Sequence, residues 1–242
     1  MNLQLKLENI RSVLIRQEET IIFSLVERAQ FCQNNKIYKK NEFSIPNFDG
    51  SFVEYLLYGT EALHATVRRY TSPDELPFSK ELPDPILPVT DFPESIKPNT
   101  ININSKIKKI YESEIIPAVC EPGEDEQYGS SAVCDVNCLQ ALSKRIHYGK
   151  FVAESKFLSE PELFSKFIKA GAGDELMKLI TDLEVEDKLL SRVEKKAATY
   201  GQEIGSTNGD YKIQPAFVAE LYKKWIIPLT KEVEVEYLLQ RM

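Results

Sequence analysis

The sequence contains few histidines, cysteines and tryptophans. Its 242 residues include two histidines, four cysteines and one tryptophan. Two histidines exclude zinc chemistry that depends on several imidazole ligands. Four scattered cysteines are too few for a disulfide scaffold and are typical of reduced thiols in a cytosolic protein. We therefore expect no metal, no cofactor and a cytoplasmic location.

The sequence also has no long hydrophobic run and no excess of basic residues. No apolar stretch approaches the roughly 18 residues that a membrane-spanning helix requires, and the N-terminus has no signal-peptide core. The 30 basic and 37 acidic residues give a formal net charge of −7, which argues against a nucleic-acid-binding surface. We expect neither a membrane nor a nucleic-acid partner. Hydrophobic residues make up 43% of the chain, enough for a substantial core.

Strand-like alternation is nearly absent, and helical periodicity predicts an all-α single domain over residues 1–242. Helices are predicted at 5–33, 52–69, 103–119, 142–157, 160–169, 175–201 and from 215 to the C-terminus. Residues 71–100 hold seven of the 13 prolines and predict a surface loop. Residues 120–131 are predicted to form an acidic, glycine-containing loop.

The segment LSKRIHYGKFVAESKF, residues 142–157, has an unusual buried stripe. At helical spacings of three and four, one face carries Leu142, Arg145, Ile146, Gly149, Val152 and Lys156. A stripe that should be apolar thus has a cation near each end and a glycine in the middle.

Three other predicted helices place charged residues among apolar ones. Arg11 lies between Leu7 and Leu14. Glu186 lies between Leu183 and Leu190, with Asp182 one turn earlier. Glu234 shares a stripe with Ile227, Thr230 and Leu238. Four helices therefore direct polar groups toward one interior.

Two interpretations of these charges remain open. Burying an unpaired charge costs several kcal/mol, so the residues either pair with one another and reach the surface, or line a pocket for a charged ligand. Arg11, Arg145 and Lys156 suit an anion with more than one carboxylate, because guanidinium binds carboxylate bidentately. Arg145 and Lys156 lie three turns apart, roughly 16 Å between Cα atoms. We expect a small dianion to lie over Val152 and Gly149, with the glycine giving it room.

Five long segments resemble a known family. They are LENIRSVLIRQEETIIFSLVER, IPNFDGSF, RRYTSPDELPF, CLQALSKRIHYGKFVAESKF and IIPLTKEVEVEYLLQR. Together they resemble the fungal and plant chorismate mutases, the regulated all-α type, over nearly the whole chain. The resemblance implies a homodimeric helical bundle with an active site inside each protomer. It also implies an isomerase that converts chorismate to prephenate, on the route to phenylalanine and tyrosine.

The resemblance implies roles for the charged residues. Arg11 and Arg145 match carboxylate-binding arginines, and Lys156 and Glu234 match the pair that hydrogen-bonds the ether oxygen. Glu186 matches the residue that holds the ring hydroxyl. Thr230 matches a further substrate contact, and Asp182 stands where the fungal pattern has an asparagine.

The resemblance also implies regulation, with tyrosine as inhibitor and tryptophan as activator at the dimer interface. Arg68, Arg69, Gly129 and Ser130 match the residues that bind these effectors. The sequence departs from the expected effector pattern at Glu126, Gln127, Val133 and Gln214. The competing interpretation is a non-catalytic helical interaction module that keeps the fold and uses the charges only for pairing.

Overall fold

The computed structural model describes residues 6–88, 96–202 and 210–241 and confirms the all-α fold. The α-helices are α1 Leu7–Arg28, α2 Phe52–Thr66, α3 Asn104–Ile110, α4 Ile116–Val119, α5 Tyr128–His147, α6 Gly149–Ser159, α7 Pro161–Lys169, α8 Gly173–Ile180, α9 Leu183–Tyr200, α10 Pro215–Leu221 and α11 Ile227–Gln240. Short 3-10 turns occur at Asn35–Tyr38 and Arg69–Thr71. Residues 89–95 of the predicted proline-rich loop lie outside the described residues. So do residue 5, where the first helix is predicted to begin, and residue 242 at the end of the last predicted helix. None of the described helices has the length and hydropathy of a membrane span.

Two predicted helices contain a π-helical segment in the middle. Tyr111–Ile115 joins α3 to α4, and Tyr222–Ile226 joins α10 to α11. Each segment is followed by Ile-Pro, ending at Pro117 and Pro228. Proline lacks an N–H, and its ring clashes with the carbonyl four residues back in a regular helix. The wider π turn accommodates the proline, so the helical path continues past it.

One hydrophobic cluster extends through most of the helices. It includes Ile21 and Leu25 of α1, Leu139 of α5 and Leu238 of α11, none of them more than 1% exposed. α1 packs against α5 and α9, while α11 packs against α5, α6 and α8. The helices α1, α6, α9 and α11 consequently surround one interior region, where the predicted stripes meet.

The prediction of one continuous helix at 175–201 is wrong. The chain forms α8 and α9 instead, with an extended break at Thr181 and Asp182. The Asp182 side chain accepts a hydrogen bond from the Val185 backbone N–H at 3.2 Å and so caps the start of α9. Aspartate favours this position because its carboxylate satisfies an N–H that the helix leaves unpaired. The predicted helix at 142–157 likewise changes element at Tyr148.

Gly149 has a different role from the one predicted. A Cβ atom at this position would lie 2.8 Å from the backbone oxygen of Thr230 and 3.3 Å from Cγ of Glu234. The glycine therefore allows α6 and α11 to approach closely. The expectation that it makes room for a ligand is wrong, because the backbone of α11 occupies that space.

Candidate active site

A cavity of about 290 Å³ lies between α1, α6, α9 and α11, with α7 and α8 at one side. Its polar lining is Arg11, Ser159, Glu160, Lys156, Asp182, Glu186, Thr230, Lys231 and Glu234. The apolar lining includes Leu14, Val152 and Ile227. The structure thus brings together residues far apart in sequence, including seven of the eight residues predicted to act on or bind the substrate. Arg11 and Asp182 are exposed, whereas Val152, Thr230 and Glu234 are buried.

Arg145 lies behind this wall, in contact with Thr230. Its guanidinium Nη1 donates to Thr230 Oγ1 at 3.4 Å, and the residue is 3% exposed. Nε of Arg145 has no hydrogen-bond partner among the described residues. Burial lowers the pKa of Arg145, a shift that nearby Tyr222, Glu18 and Glu234 oppose. A buried cation with an unused donor therefore lies next to the cavity.

Lys156 and Glu234 form an ion pair within the cavity. Lys156 Nζ donates to Glu234 Oε2 at 3.1 Å and to the Ile180 carbonyl at 2.6 Å. Burial raises the pKa of Glu234, while Lys156, Arg145 and Lys231 act in the opposite direction. The carboxyl group is thus favoured to hold a proton at a higher pH than an exposed glutamate does.

Glu186 forms a second ion pair, with Lys231. Lys231 Nζ lies 2.9 Å from Glu186 Oε1 and 3.5 Å from Thr181 Oγ1. Lys231 was not among the residues predicted from sequence. Its signal is its place on α11, directly after Thr230 and three residues before Glu234, which puts it near the same helix face.

Comparisons with known proteins place the chain in a family. Residues 127–235 match the family model for chorismate mutase type II. Chorismate mutase 1 of Petunia hybrida is 53% identical over 98% of this chain and 76% of its own length. The chain belongs to the chorismate mutase family. The predicted family and isomerase class are confirmed.

Solved structures of chorismate mutases support the same fold. The Aro7p chorismate mutase of Candida albicans, in complex with L-Trp, superposes with a TM-score of 0.93 at 45% identity and covers 98% of this chain and 92% of its own. AtCM1 with tyrosine bound in its allosteric site gives a TM-score of 0.91 at 51% identity. It covers 99% of this chain and 98% of its own.

Two of the four predicted effector residues lie at the end of α2. Arg68 adopts a left-handed backbone conformation with φ of 67° and donates to the carbonyl of Pro88. Arg69 contacts Glu75, and its Nη1 lies 3.0 Å from His64 Nδ1 and 3.3 Å from Gln140 Oε1 on α5. These contacts fix Arg69 against the middle of α5.

The other two, Gly129 and Ser130, are exposed in the first turn of α5. The predicted loop at 120–131 is therefore too long, because α5 begins at Tyr128. Asp125 orders the segment before it by accepting hydrogen bonds from the backbone N–H of Cys32 and Gln127, at 2.8 and 2.9 Å. Ser130 lies ten residues before Gln140 on α5, about 15 Å along the helix. Within one protomer, the two halves of the predicted effector site are apart.

A buried charge cluster between α1 and α9 was not predicted from the sequence. Glu18 is fully buried and accepts hydrogen bonds from Arg192 Nη2 at 2.7 Å and from Arg192 Nε at 2.9 Å. Lys196 Nζ lies 3.3 Å from the same carboxylate. Glu18 follows Arg11 by seven residues and so shares its face of α1, which is the signal that could have revealed it.

Proposed function

We propose that the cavity binds chorismate and rearranges it to prephenate. The reaction is intramolecular and pericyclic, so it requires no nucleophile and no obligatory proton transfer. The protein must hold a compact conformer of a flexible dianion and stabilise the negative charge that grows on the breaking ether oxygen. The observation that carries the proposal is the Lys156–Glu234 pair beside buried Arg145, whose Nε has no partner in the described part of the chain.

Arg11 and Arg145 are proposed to bind the two carboxylates of the substrate. Arg145 is held rigidly by burial, and Arg11 lies exposed at the cavity. A charge-assisted hydrogen bond to a carboxylate would satisfy the free Nε donor of Arg145. Thr230 and Val152 complete this wall, and Asp182, with its carboxylate engaged as a helix cap, shapes the rim.

Lys156 and Glu234 are proposed to act on the ether oxygen. Lys156 donates through its ammonium group. Glu234 donates only when protonated, because an ionised carboxylate carries no hydrogen. Its burial, which raises the pKa, supports that role. Glu186 lies in the first turn of α9 and is paired with Lys231 of α11. Its carboxylate is suited to accept a hydrogen bond from the ring hydroxyl.

The first experiment follows the loss of the diene absorbance of chorismate with purified protein. We expect turnover to prephenate by the wild type and its loss in a folded Arg145→Ala variant. Lys166→Ala, an exposed lysine on α7, is the matched control and should behave as the wild type. No turnover by folded wild-type protein would contradict the proposal and favour the non-catalytic interaction module.

We also propose that the protein is a homodimer and that α2 contributes to its interface. Leu63 on this helix is 67% exposed, and Val67 just after it is 50% exposed. Ile86 is 78% exposed, and its backbone N–H donates to the Thr66 carbonyl at 2.8 Å. Exposed apolar patches of this kind are typical of interaction surfaces. Light scattering should give twice the chain mass, and Ile86→Asp should shift the protein toward monomer. A monomeric wild type would contradict the proposal.

Tyrosine and tryptophan are proposed as effectors at this interface. Arg68 and Arg69 lie beside the exposed apolar patch, and Gly129 and Ser130 lie well away from Arg69 in the same protomer, so a second copy is needed to complete the site. Turnover with added tyrosine should fall and with added tryptophan should rise, while Arg69→Ala should remove both responses. Phenylalanine is a third arm of this assay, because Val133, 52% exposed, replaces the expected threonine. Equal rates with and without effectors would contradict regulation.

A cytoplasmic location is supported by four free cysteines, since free thiols persist in reducing compartments. A fluorescent fusion of the full chain should distribute through the cytoplasm. Accumulation in an organelle would contradict this proposal.

A further inference from the structure

The ion pair between Lys231 and Glu186 contains a cation for which the proposed chemistry has no use. Lys231 Nζ lies 2.9 Å from Glu186 Oε1, and both residues line the cavity. The two side chains are only 20% and 23% exposed. Solvent and salt therefore screen this pair less than a surface pair.

Lys231 is held in place by a second contact. Its Nζ lies 3.5 Å from Thr181 Oγ1, and that hydroxyl donates its own proton to the Met177 carbonyl at 2.7 Å. Thr181 belongs to the break between α8 and α9, whereas Glu186 is in the first turn of α9. The lysine thus extends from α11 to two points on the opposite wall, which fixes its charge beside Glu186.

Two other charged residues near Glu186, namely Asp182 and Glu234, are carboxylates and do not neutralise its charge. Asp182 is one turn before Glu186, but its carboxylate accepts the Val185 N–H and is exposed. On α11, Glu234 is paired with Lys156. Lys231 is the cation in hydrogen-bond contact with Glu186 among the described residues.

An ionised carboxylate only accepts hydrogen bonds. Within the described part of the chain, Lys231 donates to Oε1 of Glu186 and leaves Oε2 for a donor on the substrate. A hydroxyl group and an ammonium group can both donate to that oxygen. The two groups differ in charge. Only the ammonium group would therefore also be repelled by Lys231 at close range.

We propose that Lys231 determines specificity by neutralising Glu186, so that this end of the cavity selects a neutral ring hydroxyl over a ring ammonium. This inference rests on the proposed function, because it takes Glu186 as the group that binds the ring substituent. Without Lys231, the unpaired carboxylate of Glu186 would attract a ring ammonium. The repulsion by which Lys231 excludes that ammonium would also be lost.

The test compares two substrates: chorismate and the analogue that carries an amine in place of the ring hydroxyl. The ratio of kcat/KM for the amine to kcat/KM for the hydroxyl is measured below the pKa of the amine. Lys231→Met keeps the length of the side chain and removes the charge, and it should raise this ratio about tenfold or more. The rise should shrink above the pKa of the amine, a response that a purely structural role would not give.

Two controls accompany this variant. Lys231→Arg keeps the cation and should keep the wild-type ratio. Lys106→Met removes the more exposed ion pair between Lys106 and Glu232 on α11, at 2.5 Å, and should leave both rates unchanged. Glu186→Gln leaves the lysine charge unneutralised and should lower the ratio below that of the wild type, which gives a second measurement if Lys231→Met does not fold.

An unchanged ratio in Lys231→Met, with chorismate turnover retained, would overturn the inference and leave the proposed function intact. An unchanged ratio in Glu186→Gln would overturn it in the same way. Absence of chorismate turnover by the wild type would instead contradict the proposed function itself.

Discussion

Two buried arginines, Arg28 and Arg145, show how a structural cation differs from one that is proposed to bind a ligand. Arg28 on α1 is fully buried, and its donors are satisfied by protein groups. Nε bonds Asp135 at 2.7 Å, Nη1 bonds the Cys32 carbonyl at 2.9 Å, and Nη2 bonds the Gln33 carbonyl at 2.9 Å. Burial lowers the pKa of Arg28, but Asp135, Tyr38 and Cys120 together outweigh burial and raise it.

Arg145 is almost as deeply buried, but its hydrogen-bond donors are poorly satisfied. Among the described residues it has one long hydrogen bond, to Thr230, and an Nε without a partner, and burial lowers its pKa. Unsatisfied buried donors are costly, so a protein that keeps one next to a cavity has the donor available for a ligand. Burial alone does not distinguish the two arginines, whereas hydrogen-bond satisfaction does.

The largest effect on stability is expected from Arg28→Ala. It leaves Asp135 buried without its cation, which should lower the free energy of unfolding by about 3–5 kcal/mol. Urea denaturation measures the change. Lys40→Ala, which removes an exposed pair with Asp49, should leave the free energy of unfolding nearly unchanged and is the control. A change as small as the control's would break the comparison.

Arg145→Ala should have the reverse profile. We expect kcat/KM to fall about 10³-fold, because transition-state hydrogen bonds are lost, while the free energy of unfolding changes by less than about 1 kcal/mol, since an unsatisfied buried cation is removed. Steady-state kinetics and urea denaturation of the same preparation measure both. A loss of stability as large as that of Arg28→Ala would show that Arg145 is structural.

Lys156→Ala tests whether the neighbouring cation is also a catalytic donor. We expect the barrier to rise by about 3–4 kcal/mol, a loss of 10²–10³-fold in kcat. Lys166→Ala serves again as the exposed control. Loss of binding with kcat retained would place Lys156 with the carboxylate-binding residues instead.

Gly149→Ala tests the close packing of α6 and α11 that positions these groups. The added methyl group would lie 2.8 Å from the Thr230 backbone oxygen, which should cost about 1–3 kcal/mol in stability and lower kcat by displacing α11. Gly173→Ala meets only ordinary contacts, the nearest at 3.8 Å from Val235, and should change little. Equal behaviour of the two variants would mean that the helices separate easily.

The smallest effect at acidic pH is expected from Glu234→Gln. Because burial raises the pKa of Glu234, the wild type should be active at pH values below that pKa and lose activity as pH rises through it. Glutamine remains a donor at every pH, so the variant should stay within about tenfold of the acidic wild-type rate and show a flat profile. An inactive variant throughout the pH range would exclude Glu234 as the donor.

Sequence reasoning predicted most helices and most of the cavity wall, and its errors have local physical causes. It missed the break at Thr181, because the Asp182 cap competes with helix continuation through a side chain that also suits a helix surface. It misinterpreted Gly149, because an absent Cβ indicates close approach without indicating what approaches. It overlooked Lys231, since a lysine between a threonine and a glutamate also fits a solvent-facing site.

The sequence by itself determined which residues share a helix face, because the helical period of 3.6 residues fixes that relation locally. It also determined the family, through five long segments spread over nearly the whole chain. Only the tertiary structure decided depth and partners: Arg145 lies behind Thr230, Arg11 is exposed, and Lys231 reaches Glu186 from another helix. These relations depend on how helices pack against one another, and a pattern along one helix does not contain that information.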